Sequence, residues 1–309
     1  MSERLAVRGP RTPALPLVLD SPHSGHDFPH DFGAAVSEAE LREGEDCFVD
    51  ELYAGGPEMG VPLLAALWPR TYLDPNRHAG DIDLDLLQGP WSGEFRPSGK
   101  AKVGKALIWR TLEDGRHIYA RKLSAETIKK RIDDFHFPYH EELKTLLNGA
   151  RSHFGRVYHI NCHSMRAVAG KQSDDGEGSA RADFVLGDRD GTSCDPAFTG
   201  FVRATLEAMG YQVKVNDPYK GVELVRAFSD PKAGRHSLQV EVNRRLYMDE
   251  KTRARSSSFA ELKSNLDRLL AELARYAAEC SHDCHGHSHG HDHDHHGAHG
   301  HDHGSPHRH

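Results

Sequence analysis

The chain of 309 residues lacks long apolar runs and any concentration of positive charge. No stretch of about eighteen apolar residues occurs, so the sequence predicts no membrane-spanning helix. The first residues carry charges and a proline instead of the apolar core of a signal peptide, so we expect a soluble protein that is not exported. The net charge is −7 and no stripe of lysine and arginine could neutralise phosphates, which argues against a nucleic-acid partner.

Cysteine is scarce as well, and several glycine-rich motifs are missing. An odd number of irregularly spaced cysteines forms no disulfide framework in a chain this long, so we expect a cytoplasmic protein. The five cysteines are Cys47, Cys162, Cys194, Cys280 and Cys284. The sequence contains no P-loop, no G-x-G-x-x-G after a strand and no G-x-S-x-G. These absences disfavour NTPase, dinucleotide-binding and serine-hydrolase functions.

The patterning that is present predicts an α/β fold with a largely parallel sheet, in a single domain over residues 1–280. Helical spacing of apolar residues favours helices over residues 37–59, 124–150, 195–209 and 259–278. Short apolar or alternating runs favour strands, among them residues 17–19, 61–67, 71–73, 156–162, 184–186, 211–215 and 236–242. Residues 106–110 and 116–120 could form a hairpin, and residues 88–104 should be a loop that acts as a lid or binding loop, or is a disordered excursion.

Two of the predicted strands end at a histidine. The run LPLVLDSPHSG leads into His23, and RVYHINC leads into His163. Because ligands collect at the carboxyl ends of strands in open α/β sheets, we expect both imidazoles to line one pocket. Paired histidines at such a place indicate a metal site.

A catalytic zinc ion keeps three protein ligands and an open position for water. With two histidines in place, the third ligand could be Asp46, Glu45 or Asp50, all within one predicted helix, or His26; we favour Asp46. Hydrolysis of an amide at such a site would also require a base that moves a proton to the leaving nitrogen. Glu241 projects from a strand in which Leu238, Val240 and Val242 face the other way, and it fits that role.

Two arginines lie close in sequence to these segments. Arg77 follows a predicted turn, and Arg166 follows His163 by three residues. A guanidinium can hold a carboxylate bidentately, which a lysine does less well. The sequence therefore indicates that both arginines could clamp an acidic substrate.

The composition changes at residues 281–309, which hold thirteen of the 24 histidines and almost no apolar residue. Such a segment cannot bury a core, so we expect a disordered tail. Imidazoles at this density bind zinc, nickel or copper. An alternative function follows: a metal-handling protein that stores or delivers zinc or nickel, with a degenerate hydrolase domain.

Several motifs together resemble the N-formylglutamate amidohydrolase family. They are SPHSG with His23, GEDCFVDELY with Asp46, the Asn76-Arg77 turn, CHSM with His163, and LQVEVNRRLYMDE with Glu241. The resemblance extends over roughly residues 15–273. It implies a fold similar to that of zinc carboxypeptidases, a three-layer α/β/α domain with a mixed, largely parallel sheet.

The resemblance also implies roles for individual residues. His23, Asp46 and His163 would hold one catalytic zinc ion, and Glu241 would be the general base. Polar positions near the substrate carboxylates would be Asn76, Arg77 and Arg166, with Arg244 as a further candidate. The implied reaction is hydrolysis of a small N-formyl or N-acyl acidic amino acid, N-formylglutamate being the namesake substrate. Nothing in the sequence indicates an oligomeric state.

Overall fold

A seven-stranded mixed sheet forms the centre of the molecule in the computed structural model, which describes residues 4–170, 173 and 176–282. The strands of this sheet are β1 (Leu5–Arg8), β2 (Leu17–Ser21), β3 (Leu63–Ala66), β6 (Val157–Met165), β7 (Phe184–Gly187), β8 (Val213–Val215) and β9 (Arg235–Asn243). Their order is β1-β3-β2-β6-β9-β7-β8. Four neighbouring pairs are parallel, and only β1 with β3 and β7 with β9 are antiparallel. A separate parallel pair joins β4 (Leu87–Gln88) and β5 (Leu123–Ser124).

Helices cover both faces of the sheet. The α-helices are α1 (Glu38–Leu41), α2 (Val49–Leu52), α3 (Ala125–Arg131), α4 (Phe137–Phe154), α5 (Pro196–Ala208), α6 (Glu223–Phe228) and α7 (Phe259–His282). Short 3₁₀ turns occupy Arg42–Gly44, Gly56–Met59, Gly99–Val103, Pro231–Ala233 and Arg244–Leu246. The predicted α/β architecture with a mixed, mostly parallel sheet is confirmed. Among the described residues, no helix combines the length and apolarity that crossing a membrane requires.

The two faces of the central strands differ in chemistry. Alternate side chains of β2, β6 and β9 pack against α5 and α7 in an apolar core: Leu17, Leu19, Tyr158, Ile160, Cys162, Leu238, Val240 and Val242. The intervening positions face the side covered by α4, where Val18 and Val157 are apolar. Most of the others on that side are buried polar residues, among them Asp20, His159, Asn161, His163, Gln239 and Glu241. The predicted alternation of side chains in β9 is therefore confirmed. This strand lies in the interior of the sheet, between β6 and β7.

The helix predicted from Ser124 begins where the sequence indicates, since the hydroxyl of Ser124 accepts a hydrogen bond from the backbone N–H of Thr127 at 3.1 Å. We expected Pro138 to kink or split this helix. Instead, a π-helical turn (Ile132–His136) joins α3 to α4, and the chain stays helical to Phe154. A proline lacks the N–H of the regular ladder, and the change of helical register lies directly before it.

The single helix predicted over residues 37–59 is wrong. The chain forms α1, α2 and two 3₁₀ turns there, because Phe48 adopts a left-handed φ of 64° that ends any regular helix. The backbone N–H of Asp46 instead donates to the carbonyl of His23 at 3.0 Å. Tertiary contact with the segment after β2 thus replaces local helix formation.

One further prediction is wrong. Residues 71–73 form a turn, in which the N–H of Tyr72 donates to the carbonyl of Pro69.

The hairpin predicted from residues 106–110 and 116–120 is present in a shorter form. Thr111 pairs with His117 in an antiparallel bridge, and the N–H of Ile118 donates to the carbonyl of Arg110 at 2.8 Å. Residues 283–309 of the predicted tail lie outside the described residues, whereas residues 281 and 282 still belong to α7.

Candidate active site

Side chains predicted from distant parts of the sequence meet at the carboxyl ends of β2 and β6. His23 is the second residue after β2. His163 lies inside β6, which continues to Met165, and does not follow the strand as expected. The two imidazole rings are neighbours, with 4.7 Å between their centroids. The prediction that both histidines share one site is therefore supported by the fold.

Asp46 completes a cluster of three possible metal ligands. Its Oδ2 atom lies 3.0 Å from Nδ1 of His163 and 3.4 Å from Nδ1 of His23. All three side chains are buried, and their ligand-type atoms lie within 4.8 Å of one another. Two imidazole nitrogens and a carboxylate oxygen are a common donor set for zinc.

The other nitrogen of each ring also has buried polar neighbours. Nε2 of His23 donates to Oδ1 of Asp74 at 2.7 Å, so this ring turns an unprotonated Nδ1 toward Asp46. Nε2 of His163 lies 2.8 Å from Oδ1 of Asn161. The Asn161 amide is oriented by its own Nδ2, which donates to Oδ1 of Asp20.

This arrangement places lone pairs against one another. Within the described structure, Nδ1 of His23 is a buried atom with no hydrogen-bond partner. A buried, unsatisfied nitrogen beside a carboxylate oxygen is unfavourable unless a proton or a cation lies between them. The three residues therefore fit a divalent cation.

The second oxygen of Asp46 is held from the opposite side. Oδ1 accepts hydrogen bonds from Nη2 of Arg244 at 3.0 Å and from the hydroxyl of Ser164 at 3.2 Å. Burial by itself raises the pKa of Asp46, but its interactions with His163 and His23 lower the pKa well below the usual value. Asp46 is thus a fixed carboxylate, and Arg244 directly positions it.

The alternative third ligands point elsewhere. Glu45 forms an ion pair with Arg42 at 2.6 Å, and Asp50 forms one with Arg8 at 3.0 Å. The side chain of His26 is 57% exposed and lies 3.5 Å from Glu45 instead of near the other two histidines. Of the four alternatives, geometry selects Asp46.

Glu241 lies directly beside His163, in register on the parallel strand β9. Its Oε1 accepts a hydrogen bond from Nε2 of Gln239 at 2.8 Å. Burial raises the pKa of Glu241, and the charge of Asp46 adds to this, while His163, Arg70 and Arg244 act in the opposite direction. A buried carboxylate with a raised pKa, next to the ligand cluster, is suited to accept and return a proton.

A cavity of about 200 Å³ adjoins the cluster: it is lined by Asp46 itself and by Arg244, which contacts Asp46. Its lining carries seven cationic side chains: Arg70, Arg77, Lys100, Lys105, Arg166, Arg181 and Arg244. Three acidic side chains line it as well: Glu43, Asp46 and Glu113. The excess of positive charge favours an anionic ligand. The predicted loop contributes Lys100 and Val103 to this lining, as a binding loop would.

The predicted substrate-binding residues occupy different positions. Arg166 lines the cavity, and its guanidinium makes no hydrogen bond or ion pair with the described residues. Arg77 lines it too and donates to the backbone carbonyl of Lys105 at 3.2 Å. Asn76 is buried behind His163: its Oδ1 accepts from the N–H of Leu224, and its Nδ2 lies 3.1 Å from Nε2 of His163. Asn76 is therefore placed to support the cluster, away from the cavity lining.

Sequence reasoning missed Asp74 and Arg70. Asp74 is fully buried and accepts from His23 and from Nη2 of Arg70 at 2.7 Å. These contacts and the surrounding cations keep the pKa of Asp74 well below its usual value, although burial alone would raise it. The signal was an aspartate between an apolar run and Pro75, in the same turn that drew attention to Asn76.

The chain is also similar to known proteins in sequence and in fold. The sequence model of a family described as N-formylglutamate amidohydrolase matches residues 15–248. The chain belongs to the N-formylglutamate amidohydrolase family. The matched segment includes every candidate site residue, from His23 to Arg244.

Individual relatives extend this result. The chain is 29% identical over 242 residues to an N-formylglutamate deformylase of Pseudomonas putida and 30% identical over 240 residues to one of Pseudomonas aeruginosa, with 76% of this chain and 83% of each relative covered. Its fold is similar to that in the crystal structure of N-formylglutamate amidohydrolase from Ralstonia eutropha JMP134, with a TM-score of 0.85 and 44% sequence identity. That likeness covers 90% of this chain and 99% of the other. As a member of the N-formylglutamate amidohydrolase family, the chain is a hydrolase.

Proposed function

We propose that the protein is a metal-dependent amidohydrolase that converts N-formylglutamate to formate and glutamate. The names of its relatives support the reaction. The observation that carries the metal dependence is the buried, unpartnered Nδ1 of His23, which faces the same carboxylate oxygen as Nδ1 of His163. Zinc accepts this donor set.

His23, Asp46 and His163 would hold the ion. When bound, zinc would polarise the formyl carbonyl and lower the pKa of a coordinated water toward about 7. Asp74 and Asn161 hold the two rings through contacts with their Nε2 atoms, and Arg244 holds the carboxylate of Asp46. The ligand cluster is thus preorganised by neighbours that are themselves hydrogen-bonded.

Glu241 would transfer the proton. It accepts one from the attacking water as the oxygen bonds to the formyl carbon, and returns it to the amide nitrogen as the C–N bond breaks. Formate and the free amino acid leave. The raised pKa of Glu241 makes it a stronger base than an ordinary glutamate, which favours the step that takes the proton from water.

The substrate would be held by its charge. N-formylglutamate carries two carboxylates, and the cavity presents an excess of cations. Arg166 makes no hydrogen bond or ion pair with a described residue, and the donor groups of Arg77 contact only backbone carbonyls. These two guanidinium groups are therefore available to bind carboxylates.

Formate release from N-formylglutamate tests the proposal. Removing metal with a chelator should abolish it, and zinc should restore it. In a chain that ends at Cys280, so that the histidine-rich segment contributes no bound zinc, His163→Asn should lose both zinc and activity, whereas His26→Asn, at an exposed histidine nearby, should keep both. Full activity in the metal-free protein, or ordinary zinc binding by His163→Asn, would contradict the proposal.

A further inference from the structure

Two buried donors at the side of the cavity have unused hydrogen-bonding capacity. The Nζ atom of Lys105 and the Nε1 atom of Trp109 make no hydrogen bond with the described residues. Both residues line the cavity, and they are only 6% and 5% exposed, respectively. An antiparallel bridge pairs the two residues, so their side chains lie on the same side of the backbone. Leaving such donors unsatisfied costs free energy unless a ligand accepts from them.

The ammonium group of Lys105 is held in place, but its three N–H groups do not all have an acceptor. Nζ lies 3.8 Å from the centre of the Trp109 ring and 3.2 Å from Oε1 of Glu113. An ammonium has three N–H groups, so a contact with Glu113 leaves capacity for another anion. The ring and the neighbouring carboxylate together fix the position of the charge.

A chain of contacts relates this pair to the candidate metal cluster. Asp74, which holds His23, also binds Arg70, and the guanidinium carbon of Arg70 lies 5.0 Å from the centre of the Trp109 ring. Lys105 contacts the same ring, so the order of contacts from the cluster is Asp74, Arg70, Trp109 and then Lys105. Arg244, in contrast, touches Asp46 directly. Lys105 is therefore a cation set back from the reacting centre.

We infer that Lys105 and Trp109 form a subsite for the side-chain carboxylate of a dicarboxylic N-formyl amino acid. The inference rests on the proposed function. In such a substrate the α-carboxylate is adjacent to the scissile amide, whereas the side-chain carboxylate is several bonds further away. The cations near the cluster suit the first group, and Lys105 suits the second. Selection for an acidic side chain follows because Glu113 does not occupy all three N–H groups of Lys105 and Nε1 of Trp109 has no acceptor among the described residues. A carboxylate would satisfy these donors and bring a charge to the ammonium, which a neutral side chain does not.

Substrate preference tests this subsite in the full chain loaded with zinc. N-formylglutamate is compared with N-formylglutamine, which has nearly the same shape and no side-chain charge. In Lys105→Met, kcat/KM for N-formylglutamate should fall by about 10- to 100-fold, mostly through KM. The value for N-formylglutamine should change by less than about threefold. Lys105→Arg should keep a preference for the acidic substrate.

Lys102→Met is the matched control. It removes the same charge from an exposed position in the same segment, and both substrates should be turned over as by the wild type. An equal loss for both substrates in Lys105→Met, or an unchanged preference, overturns the subsite. Absence of formate release from either substrate by the wild-type protein overturns the proposed function itself, which distinguishes the two failures.

Discussion

His163 and Glu241 face the same side of the sheet from adjacent parallel strands, with residue 163 in register with residue 241. Each is supported by the side chain two positions earlier, Asn161 in β6 and Gln239 in β9. The spacing between a candidate ligand and the candidate base is therefore fixed by strand pairing in the interior of the sheet, and no loop has to hold it.

This relationship makes Glu241→Gln a sharp test of the base. The amide keeps the shape but cannot accept the proton, so kcat should fall by about 100- to 10,000-fold. Zinc content should stay at the wild-type level, as metal analysis can establish. Glu207→Gln, at an exposed position of α5, is the control and should leave formate release unchanged. Normal turnover by Glu241→Gln would remove the assignment.

Asp74→Asn should weaken metal binding without touching a proposed ligand. The carboxylate accepts the Nε2 proton of His23 and also pairs with Arg70. Weakening that support should lower zinc affinity by about 10- to 100-fold, measured by competition with a chromophoric chelator. Asp85→Asn, whose side chain is 79% exposed, should bind zinc as the wild type does. Equal zinc affinities for Asp74→Asn and the wild type would contradict this role.

The stacked pair of His136 and His140 should make stability depend on pH. Their Nε2 atoms donate to the carbonyls of Arg77 and Pro75, the residues on either side of Asn76. Burial lowers the pKa of His136 to about 3, with a contribution from His140, and lowers that of His140 to about 4. Both pKa values lie below the unfolded value of about 6.5, so the unfolded chain binds more protons as the pH falls below about 6.5. Stability should be fully present above that pH and decrease toward pH 4.

Urea unfolding of the metal-free protein at pH 6.5 and pH 5.0 measures this effect. His140→Gln keeps a donor for the carbonyl of Pro75 but cannot titrate. It should reduce the difference in unfolding free energy between the two pH values by about 1.5 kcal/mol. His117→Gln, at an exposed position, should leave the difference unchanged. The same loss of stability in His140→Gln and the wild type would refute the assignment.

A chain that ends at Cys280 tests the histidine-rich segment. With ample zinc, formate release should match that of the full chain, because every candidate site residue lies before residue 281. In competition with a chelator, the shortened chain should acquire zinc more slowly, since the removed imidazoles bind such metals. Equal loading of both chains would show that the tail has no part in supply, and loss of activity at saturating zinc would favour the metal-handling alternative.

Much of the fold could be predicted because its signals are local. The strand before His23, the capped helix at Ser124 and the alternation around Glu241 depend on patterns within about ten residues. The segment around Asp46 shows the limit. Its apolar spacing favours a helix, but the hydrogen bond from Asp46 to the carbonyl of His23 and the left-handed Phe48 are decided by a distant segment.

The candidate metal ligands and the candidate base could be predicted from the sequence, but the residues that hold them in place could not. His23, Asp46, His163 and Glu241 are brought together as expected. Which acidic residue faces the histidines could not be chosen by spacing alone, because Glu45 turns to the neighbouring Arg42 and Asp50 is neutralised by Arg8 from the distant strand β1. Asp74, likewise, acquires its importance only from the buried imidazole that it touches.

The position of His163 inside β6 has a consequence for how the protein would fail. This strand is paired with β9 through and beyond residue 163, and with β2 as far as Asn161, so the backbone that carries the imidazole is held in the interior of the sheet. Exposure of the backbone at His163 to solvent then requires cooperative unfolding of the sheet. Inactivation on heating should coincide with that unfolding, and the backbone amide of residue 163 should exchange its hydrogen with solvent only through the same event.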